Sequence, residues 1–168
     1  ATLRALARLT GRPLPAMSDV LRLGADVPVC LAGHPARMSG IGEHVTPLAR
    51  LPALACVLVN PRLPVPTPQV FAALQSRESP PVPDLPPAAL GSAAALAAWL
   101  AAHSRNDLVP PAREVAPILT EVQAALETTP ACLLARMAGS GGTHFGLFAT
   151  QAQAEAARQY GPYLSKPA

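Results

Sequence analysis

The sequence predicts an α+β fold. Half of the 168 residues are hydrophobic, which is enough to build a buried core. Apolar runs of strand length lie before and after a long stretch of helical periodicity, and a glycine-rich turn late in the chain joins two short apolar segments into a predicted hairpin. Strands and helices arranged in this way along the chain are typical of α+β proteins.

The first third of the sequence predicts two short helices followed by strands. "ATLRALARLTG" places apolar residues on one helical face and ends at Gly11, and "LPAMSDVLRLGA" predicts a second helix with Ser18 or Asp19 near its start. "VPVCLAG" is an apolar run that predicts a buried strand. In "PARMSGIGEHVTPL", Gly40 and Gly42 mark a bend between strand segments. Nothing precedes the first helix to cap it, so we expect the sequence to be part of a longer chain.

The middle of the sequence predicts a strand, a short helix and an extended loop. "LPALACVLVNP" is strongly apolar and ends at Asn60. In "TPQVFAAL", Thr67 and Pro68 stand at the N-cap and first-turn positions of a helix. The proline-rich residues 80–87 then predict an extended loop.

The last part of the sequence predicts a helical region, a hairpin and a final helix. An alanine-rich helix opens at Gly91 and Ser92, and Pro117 interrupts the amphipathic pattern that follows, so we expect the next helix to kink or restart there. "ARMAGSGGTHFGLF" predicts a hairpin that turns at its glycines, and "TQAQAEAARQYG" predicts the last helix.

Charge and cysteine usage disfavour several classes of protein. The chain has 13 basic and 10 acidic residues with scattered arginines, whereas nucleic-acid binding usually needs a concentrated basic face. No uninterrupted apolar segment reaches membrane-spanning length, and no signal peptide opens the sequence. The cysteines lie far apart in apolar sequence, which predicts buried reduced thiols at Cys30, Cys56 and Cys132. We therefore expect a cytoplasmic protein that binds neither nucleic acid nor membranes.

Asp26 is a candidate for chemistry. In "LGADVPV" it follows a predicted helix and precedes a predicted strand, with Gly24 permitting a sharp turn and Pro28 restricting the exit. A carboxylate held at the mouth of an apolar element can accept a proton from a substrate hydroxyl. The alternative, which the local sequence favours, is an aspartate that only stabilises a turn or cap.

The glycine-rich loop formed by residues 139–142 has two interpretations. Glycines let backbone N–H groups approach an anion such as a phosphate, but they also serve simply to turn a hairpin. No lysine follows this loop, and a strand rather than a helix comes next, so it matches neither a Walker loop nor a dinucleotide-binding fingerprint. The only lysine is Lys166.

The remaining polar residues do not predict a metal site or a hydrolase. The four histidines lack metal-ligand spacing with the cysteines. We expect His103 to cover the edge of its helix face and His144 to point outward from its strand. Asn106 and Asp107 in "SRNDL" predict a capped turn into the next helix. Ser140 lies in no recognisable nucleophile elbow.

Four segments together resemble one family of enzymes. They are "LGADVPVCLAGHPARMSGIGEHVTPL", "VLVNPRLPVPTPQVFAAL", "SRNDLVPPA" and "ARMAGSGGTHFGLF". Their order and spacing are similar to those of the 4-diphosphocytidyl-2-C-methyl-D-erythritol kinase family of GHMP kinases, over the later part of a family member and from Ala1 to about Tyr160. The resemblance implies that residues 1–48 are a remnant of the N-terminal GHMP kinase domain. It implies that residues 49–168 are the GHMP kinase C-terminal domain, an antiparallel sheet with helices on one side.

The resemblance also implies roles for individual residues. Asp26 matches the family's catalytic aspartate, which accepts the proton of the acceptor hydroxyl, and Phe71 matches an aromatic residue used against the cytosine ring. Ala138 stands where the family usually has serine or threonine, so any hydrogen bond from that hydroxyl is lost. The third conserved GHMP motif, which lies beside the phosphate loop, is matched by Gly139, Ser140 and Gly141.

The activity implied by the resemblance is phosphorylation of 4-diphosphocytidyl-2-C-methyl-D-erythritol by ATP with Mg²⁺, in isoprenoid precursor biosynthesis by the non-mevalonate route. The family's phosphate loop and a lysine at the reacting hydroxyl lie in segments that this sequence does not contain, so we expect residues 1–168 alone to be inactive or nearly so. Two alternatives keep the fold: a GHMP kinase for another acceptor, such as homoserine or mevalonate, and a non-catalytic binding or assembly domain.

Overall fold

The computed structural model describes residues 1–48, 50–76 and 78–160 of the chain. The chain forms two compact units, Ala1–Leu51 and Pro52–Ala168. Helices and antiparallel strands occur in both, which confirms the predicted α+β class. Lys166 lies outside the described residues. Among the described residues, no helix is long and apolar enough to cross a membrane.

The first unit consists of three short helices and a two-stranded hairpin. They are α1 (Thr2–Thr10), α2 (Met17–Arg22), α3 (Val27–Ala32), β1 (Ala36–Ser39) and β2 (His44–Pro47). Helix α1 ends at Gly11, which takes the left-handed conformation at φ 66°. Strands β1 and β2 pair antiparallel, with Ser39 opposite His44. The predicted helices and the predicted bend are confirmed.

The prediction of a buried strand at "VPVCLAG" is wrong, because these residues form helix α3. Pro28 lies in the first turn, where its fixed φ suits a helix and its missing N–H is not needed. Gly33 ends the helix with φ 69°, and Arg4 from α1 donates to the carbonyl oxygens of Leu31 and Ala32 at the same end. A short apolar run does not distinguish a buried strand from a buried helix.

The second unit places helices against a three-stranded antiparallel sheet. Its elements are β3 (Ala55–Val59), α4 (Thr67–Ala72), a 3₁₀ turn (Pro87–Leu90), α5 (Ala93–His103), α6 (Val109–Val115), α7 (Ile118–Glu127), β4 (Leu134–Ala138), β5 (Thr143–Phe148) and α8 (Gln151–Ala157). The strand order is β3-β5-β4, so the predicted hairpin β4–β5 forms and β3 pairs with β5. The helix restarts at Pro117, as predicted.

Helices α7 and α8 pack on one face of this sheet and form its core with it. One cluster contains Val59, Val122, Leu126 and Ala135, and another contains Ala55, Phe148, Ala154 and Ala157. On the opposite face of β3, Leu58 is 71% exposed. These two clusters therefore lie on one face of the sheet.

Two predictions about burial are wrong. His144 was predicted to point outward, but it is 1% exposed, because the register of β5 places it, Gly146 and Phe148 on the face covered by helices. Cys30 and Cys56 were predicted to be buried, but both are exposed, and only Cys132 is half-buried. His103 is exposed at the end of α5, and its ring lies 5.1 Å from that of Trp99.

Candidate functional site

Asp26 precedes helix α3 in the first unit and occupies its N-cap position. Its side chain is exposed and makes no capping hydrogen bond, although its backbone carbonyl accepts from the N–H of Cys30 at 3.1 Å. The carboxylate is therefore not used to satisfy the helix end, which is the usual role of an N-cap aspartate. This leaves it free to interact with a ligand.

The turn that carries Asp26 is in close contact with the β1–β2 hairpin. Gly42, at φ 100°, approaches the backbone of Ala25 so closely that a Cβ there would overlap the Ala25 carbonyl oxygen. Glu43 holds the same hairpin turn, since its carboxylate accepts from the N–H of Ile41 at 2.6 Å. The hydrogen bonds from the N–H groups of Glu43 itself and of Ile41 lower the pKa of Glu43. The hairpin thus supports the backbone next to Asp26.

The glycine turn, residues 139–142 between β4 and β5, has a backbone that only glycine adopts easily. Gly139, Gly141 and Gly142 have φ values of 56°, 118° and 80°. A Cβ on Gly141 would lie 3.1 Å from Val65 and 3.3 Å from Leu119, whereas one on Gly139 would meet nothing within 4 Å. At position 141, both the backbone conformation and the packing therefore require glycine. At position 139, only the backbone conformation does.

Three polar side chains from other segments hold the glycine turn and its flanks in place. Asn106 donates from Nδ2 to the carbonyl oxygens of Met137 at 3.0 Å and Gly139 at 2.8 Å. Its Oδ1 accepts from the N–H of Leu108 at 3.0 Å and so closes the predicted turn before α6, but the predicted cap is wrong, because no side chain caps that helix. Asn60, at the end of β3, donates from Nδ2 to Thr143 Oγ1 at 3.0 Å.

The third of these side chains connects the glycine turn to helix α4. The hydroxyl oxygens of Ser140 and Thr67 are 2.7 Å apart and share a hydrogen bond. The prediction that Thr67 is an N-cap is wrong, because Pro66 occupies that position and no side chain caps the helix. Pro68 lies in the first turn, as predicted. The Thr67 hydroxyl is directed to Ser140 instead, which ties two candidate segments together.

Phe71 lies on α4, one residue after the buried Val70. Val70 packs with Ala112, Leu119 and Met137, which anchors the helix. Phe71 itself remains 45% exposed. The geometry therefore leaves a ring face accessible on the helix that Ser140 contacts.

His144 lies on β5 directly after the glycine turn, and it is the most buried titratable side chain described near it. Its Nδ1 has no hydrogen-bond partner among the described residues. Burial lowers the pKa of His144 below its ordinary value, and the positive charge of Arg113 lowers it further. Both effects disfavour the protonated form of the buried imidazole.

The described residues contain no group of three or more His, Cys, Asp or Glu side chains that could hold a metal ion. Mg²⁺ in phosphoryl-transfer enzymes needs no such group, since it is bound mainly by substrate phosphates and one or two carboxylates.

Residues 85–162 match the family model described as GHMP kinases C terminal. A protein of Cereibacter sphaeroides (strain ATCC 17025 / ATH 2.4.3) named 4-diphosphocytidyl-2-C-methyl-D-erythritol kinase is 56% identical over 160 residues, which is 95% of this chain and 57% of that protein. A protein of Dinoroseobacter shibae with the same name is 56% identical over 158 residues, 94% of this chain and 53% of that protein.

The chain is similar to GHMP kinases over most of its length. A solved structure agrees, since the crystal structure of a 4-(cytidine 5'-diphospho)-2C-methyl-D-erythritol kinase superposes on this chain with a TM-score of 0.68 at 34% identity. The match covers 95% of this chain and 59% of that one. The chain thus spans a little more than half of the length of the relatives it matches.

The structure brings together some of the residues that the sequence singled out. Ser140 and the α4 segment with Phe71 are joined in the second unit, whereas Asp26 belongs to the first. Sequence reasoning missed the contribution of Asn60 and Thr67 to the glycine turn. Both act over more than seventy residues of sequence separation, so no local pattern could have identified them.

Proposed function

We propose that the protein containing this chain transfers the γ-phosphate of ATP to a hydroxyl of 4-diphosphocytidyl-2-C-methyl-D-erythritol. The observation that carries the proposal is the hydrogen bond between Ser140 and Thr67. It joins a backbone turn suited to an anion and a helix with an exposed aromatic ring, which are the two features that a phosphate donor and a cytidine acceptor require. The names of the relatives support the same reaction.

In the proposed mechanism, the residues of this chain position the reactants and move one proton. Asp26 accepts the proton of the acceptor hydroxyl as its oxygen attacks the γ-phosphorus and the bond to the β-phosphate oxygen breaks, releasing ADP. Phe71 stacks on the cytosine ring and orients the acceptor. Gly139, Ser140 and Gly141 lie beside the nucleotide phosphates, and the N–H groups of Gly139 and Ser140 stabilise the negative charge there, since that of Gly141 donates to the carbonyl oxygen of Ala138 at 3.3 Å.

Several finer points belong to the same proposal. Mg²⁺ accompanies ATP, where it neutralises the charge on the phosphates. The protein acts in the cytoplasm and in isoprenoid precursor biosynthesis by the non-mevalonate route, and its partners are its small-molecule substrates. Residues 1–48 belong to the N-terminal GHMP kinase domain and residues 49–168 to the C-terminal domain, a division that the two compact units support.

The test of Asp26 is Asp26→Asn in the full-length protein. We expect kcat to fall by about 10² to 10⁴, with little change in substrate affinity, because the amide cannot accept the proton. Asp19→Asn is the matched control, since Asp19 is an equally exposed carboxylate on α2 of the same unit. Unchanged turnover in Asp26→Asn would show that the carboxylate takes no part in the reaction.

The acceptor is tested by calorimetry of the full-length protein with the cytidine compound, homoserine and mevalonate. We expect heat of binding with the cytidine compound alone, and a weaker response in Phe71→Ala, because the exposed ring offers a stacking surface worth about 1 kcal/mol. Absence of binding by the cytidine compound would reject this acceptor.

A further inference from the structure

A cavity of about 410 Å³ lies in the second unit, on the side of β4 that faces α6 and α7. This volume is in the range of small-molecule sites. The polar side chains that line it include Asn106, Arg113, Gln123, Glu127 and Arg136. None of the residues assigned above to the nucleotide or to the cytidine compound lines this cavity. The cavity is therefore separate from the proposed reaction site on this unit.

Arg136 on β4 brings a poorly satisfied positive charge to this cavity. Its Nε is buried and has no hydrogen-bond partner among the described residues. Within the described part of the chain, its Nη atoms donate only to backbone carbonyl oxygens, those of Ala101, Ser104 and Ala135, each at 3.4 Å. Charge-assisted hydrogen bonds from a guanidinium to oxygen are usually about 2.7 to 2.9 Å long. The three contacts of Arg136 exceed that range by about half an ångström. A partly desolvated guanidinium in this state favours an incoming oxyanion.

Arg113 on α6 adds a second unpaired positive charge. It is half-buried and forms no ion pair with the residues that the structure describes. Arg105, also on the cavity wall, differs, because its Nε donates to Asp107 Oδ1 at 2.7 Å. Hydrogen bonds from Ser79 and Arg105 lower the pKa of Asp107, so that pair is neutral as a whole. The charge available to a ligand is therefore that of Arg113 and Arg136.

Glu127 also lies on this wall, forms no ion pair with any arginine that the structure describes, and restricts the kind of ligand that can bind. Its Oε1 accepts from Gln123 Nε2 at 2.8 Å, and the same Nε2 donates to the carbonyl oxygen of Ala135 at 2.9 Å. Gln123 is 8% exposed, so this orientation of Glu127 is fixed by a buried group. A bare anion would be repelled by Glu127, whereas a ligand that also carries hydroxyl groups would donate to it.

We propose that this cavity binds a small hydroxylated molecule with one anionic group, a phosphate or a carboxylate, held by Arg136 and Arg113. The hydroxyl groups of the ligand donate to Glu127. Because Asn106 lies on the same wall and holds the carbonyl oxygens of Met137 and Gly139, the ligand contacts the side chain that supports the glycine turn. This inference concerns binding and does not depend on the proposed reaction.

The test is calorimetric titration of the full-length protein, with excess ADP present to occupy the nucleotide site. The probes are glycerol 3-phosphate, glycerate and glycerol, which share hydroxyl groups and differ in the anionic group. We expect one or both anions to bind and glycerol not to bind. Which anion binds more tightly identifies the phosphate or the carboxylate as the preferred group.

Substitutions then locate the binding. Arg136→Gln and Arg113→Gln are each expected to weaken it by about tenfold or more, the loss of one charge-assisted contact. Arg158→Gln, at an exposed arginine beyond α8, is expected to leave it unchanged. If circular dichroism shows that Arg136→Gln does not fold, the binding measured with Arg113→Gln tests the proposal. The proposal is overturned if neither anion binds, if glycerol binds equally well, or if the arginine variants bind like the unsubstituted protein.

Discussion

Burial of His144 is a residue-scale feature that local sequence did not reveal. An alternating strand can present either of its two sets of side chains to a core, and a shift of one residue exchanges the sets. The β5 register places His144 opposite Val59 and Met137, on the face that the helices cover. The buried imidazole lacks a partner at Nδ1 among the described residues and has a lowered pKa.

This lowered pKa predicts a pH dependence of stability. The unfolded chain binds a proton at His144 near the ordinary pKa of 6.5, but the folded protein binds it only at lower pH. Between these values the unfolded state carries more protons, so the free energy of unfolding falls as pH decreases below about 6.5 and levels off below the folded pKa. Thermal unfolding measured from about pH 7.5 to 5 should show this fall.

Two variants attribute the effect to His144. His144→Met removes the titrating group from the buried position and should flatten the decline, whereas His103→Gln, at an exposed histidine, should retain it. A decline of the same steepness in His144→Met would mean that other groups cause it.

At the scale of elements, the glycine turn depends on packing as well as on backbone conformation. Gly139→Ala should destabilise the protein by about 1 kcal/mol, because a left-handed conformation disfavours a side chain. Gly141→Ala should cost more, about 2 kcal/mol or above, because its Cβ would also press against Val65 and Leu119. Denaturant unfolding of the two variants measures the difference, and equal losses would mean that Val65 and Leu119 move aside freely.

The contact between the glycine turn and α4 predicts an energetic coupling. Ser140→Ala and Thr67→Val each remove one hydroxyl of the pair that is 2.7 Å apart. In a double-mutant cycle we expect a coupling free energy of about 1 kcal/mol in stability. In the full-length protein, either variant should also raise KM for the cytidine compound, because α4 carries Phe71. Strictly additive stability losses would argue that the hydroxyls do not support each other.

On the scale of the whole molecule, this chain corresponds to 57% of the length of a relative that is 56% identical to it. The resemblance assigns the phosphate loop and a lysine at the reacting hydroxyl to segments outside these 168 residues. We therefore expect residues 1–168 alone to give no measurable ATP-dependent phosphorylation of the cytidine compound in a coupled ADP-release assay. Robust turnover by this chain would contradict the expectation. The full-length protein serves as the positive control.

Much of the fold could be predicted because the signals are local. Gly11 ends α1 and Pro117 separates α6 from α7, each through a backbone restriction that acts within one helical turn. The hairpin β4–β5 follows from glycines between two apolar segments. The prediction failed at "VPVCLAG", where a six-residue apolar run is compatible with both structures and Arg4 contacts the end of the helix that formed.

For the candidate site, the sequence by itself determined which residue types are present and the order of the family's segments. The roles of Asp26 and Phe71 rest on that resemblance and stay predictions. Only the tertiary structure decided that Thr67 bonds to Ser140, that Asn106 holds Gly139, and that Arg113 and Arg136 share a cavity wall. The physical reason is that these contacts join residues far apart in the chain, and their geometry depends on how strands and helices pack rather than on any local preference.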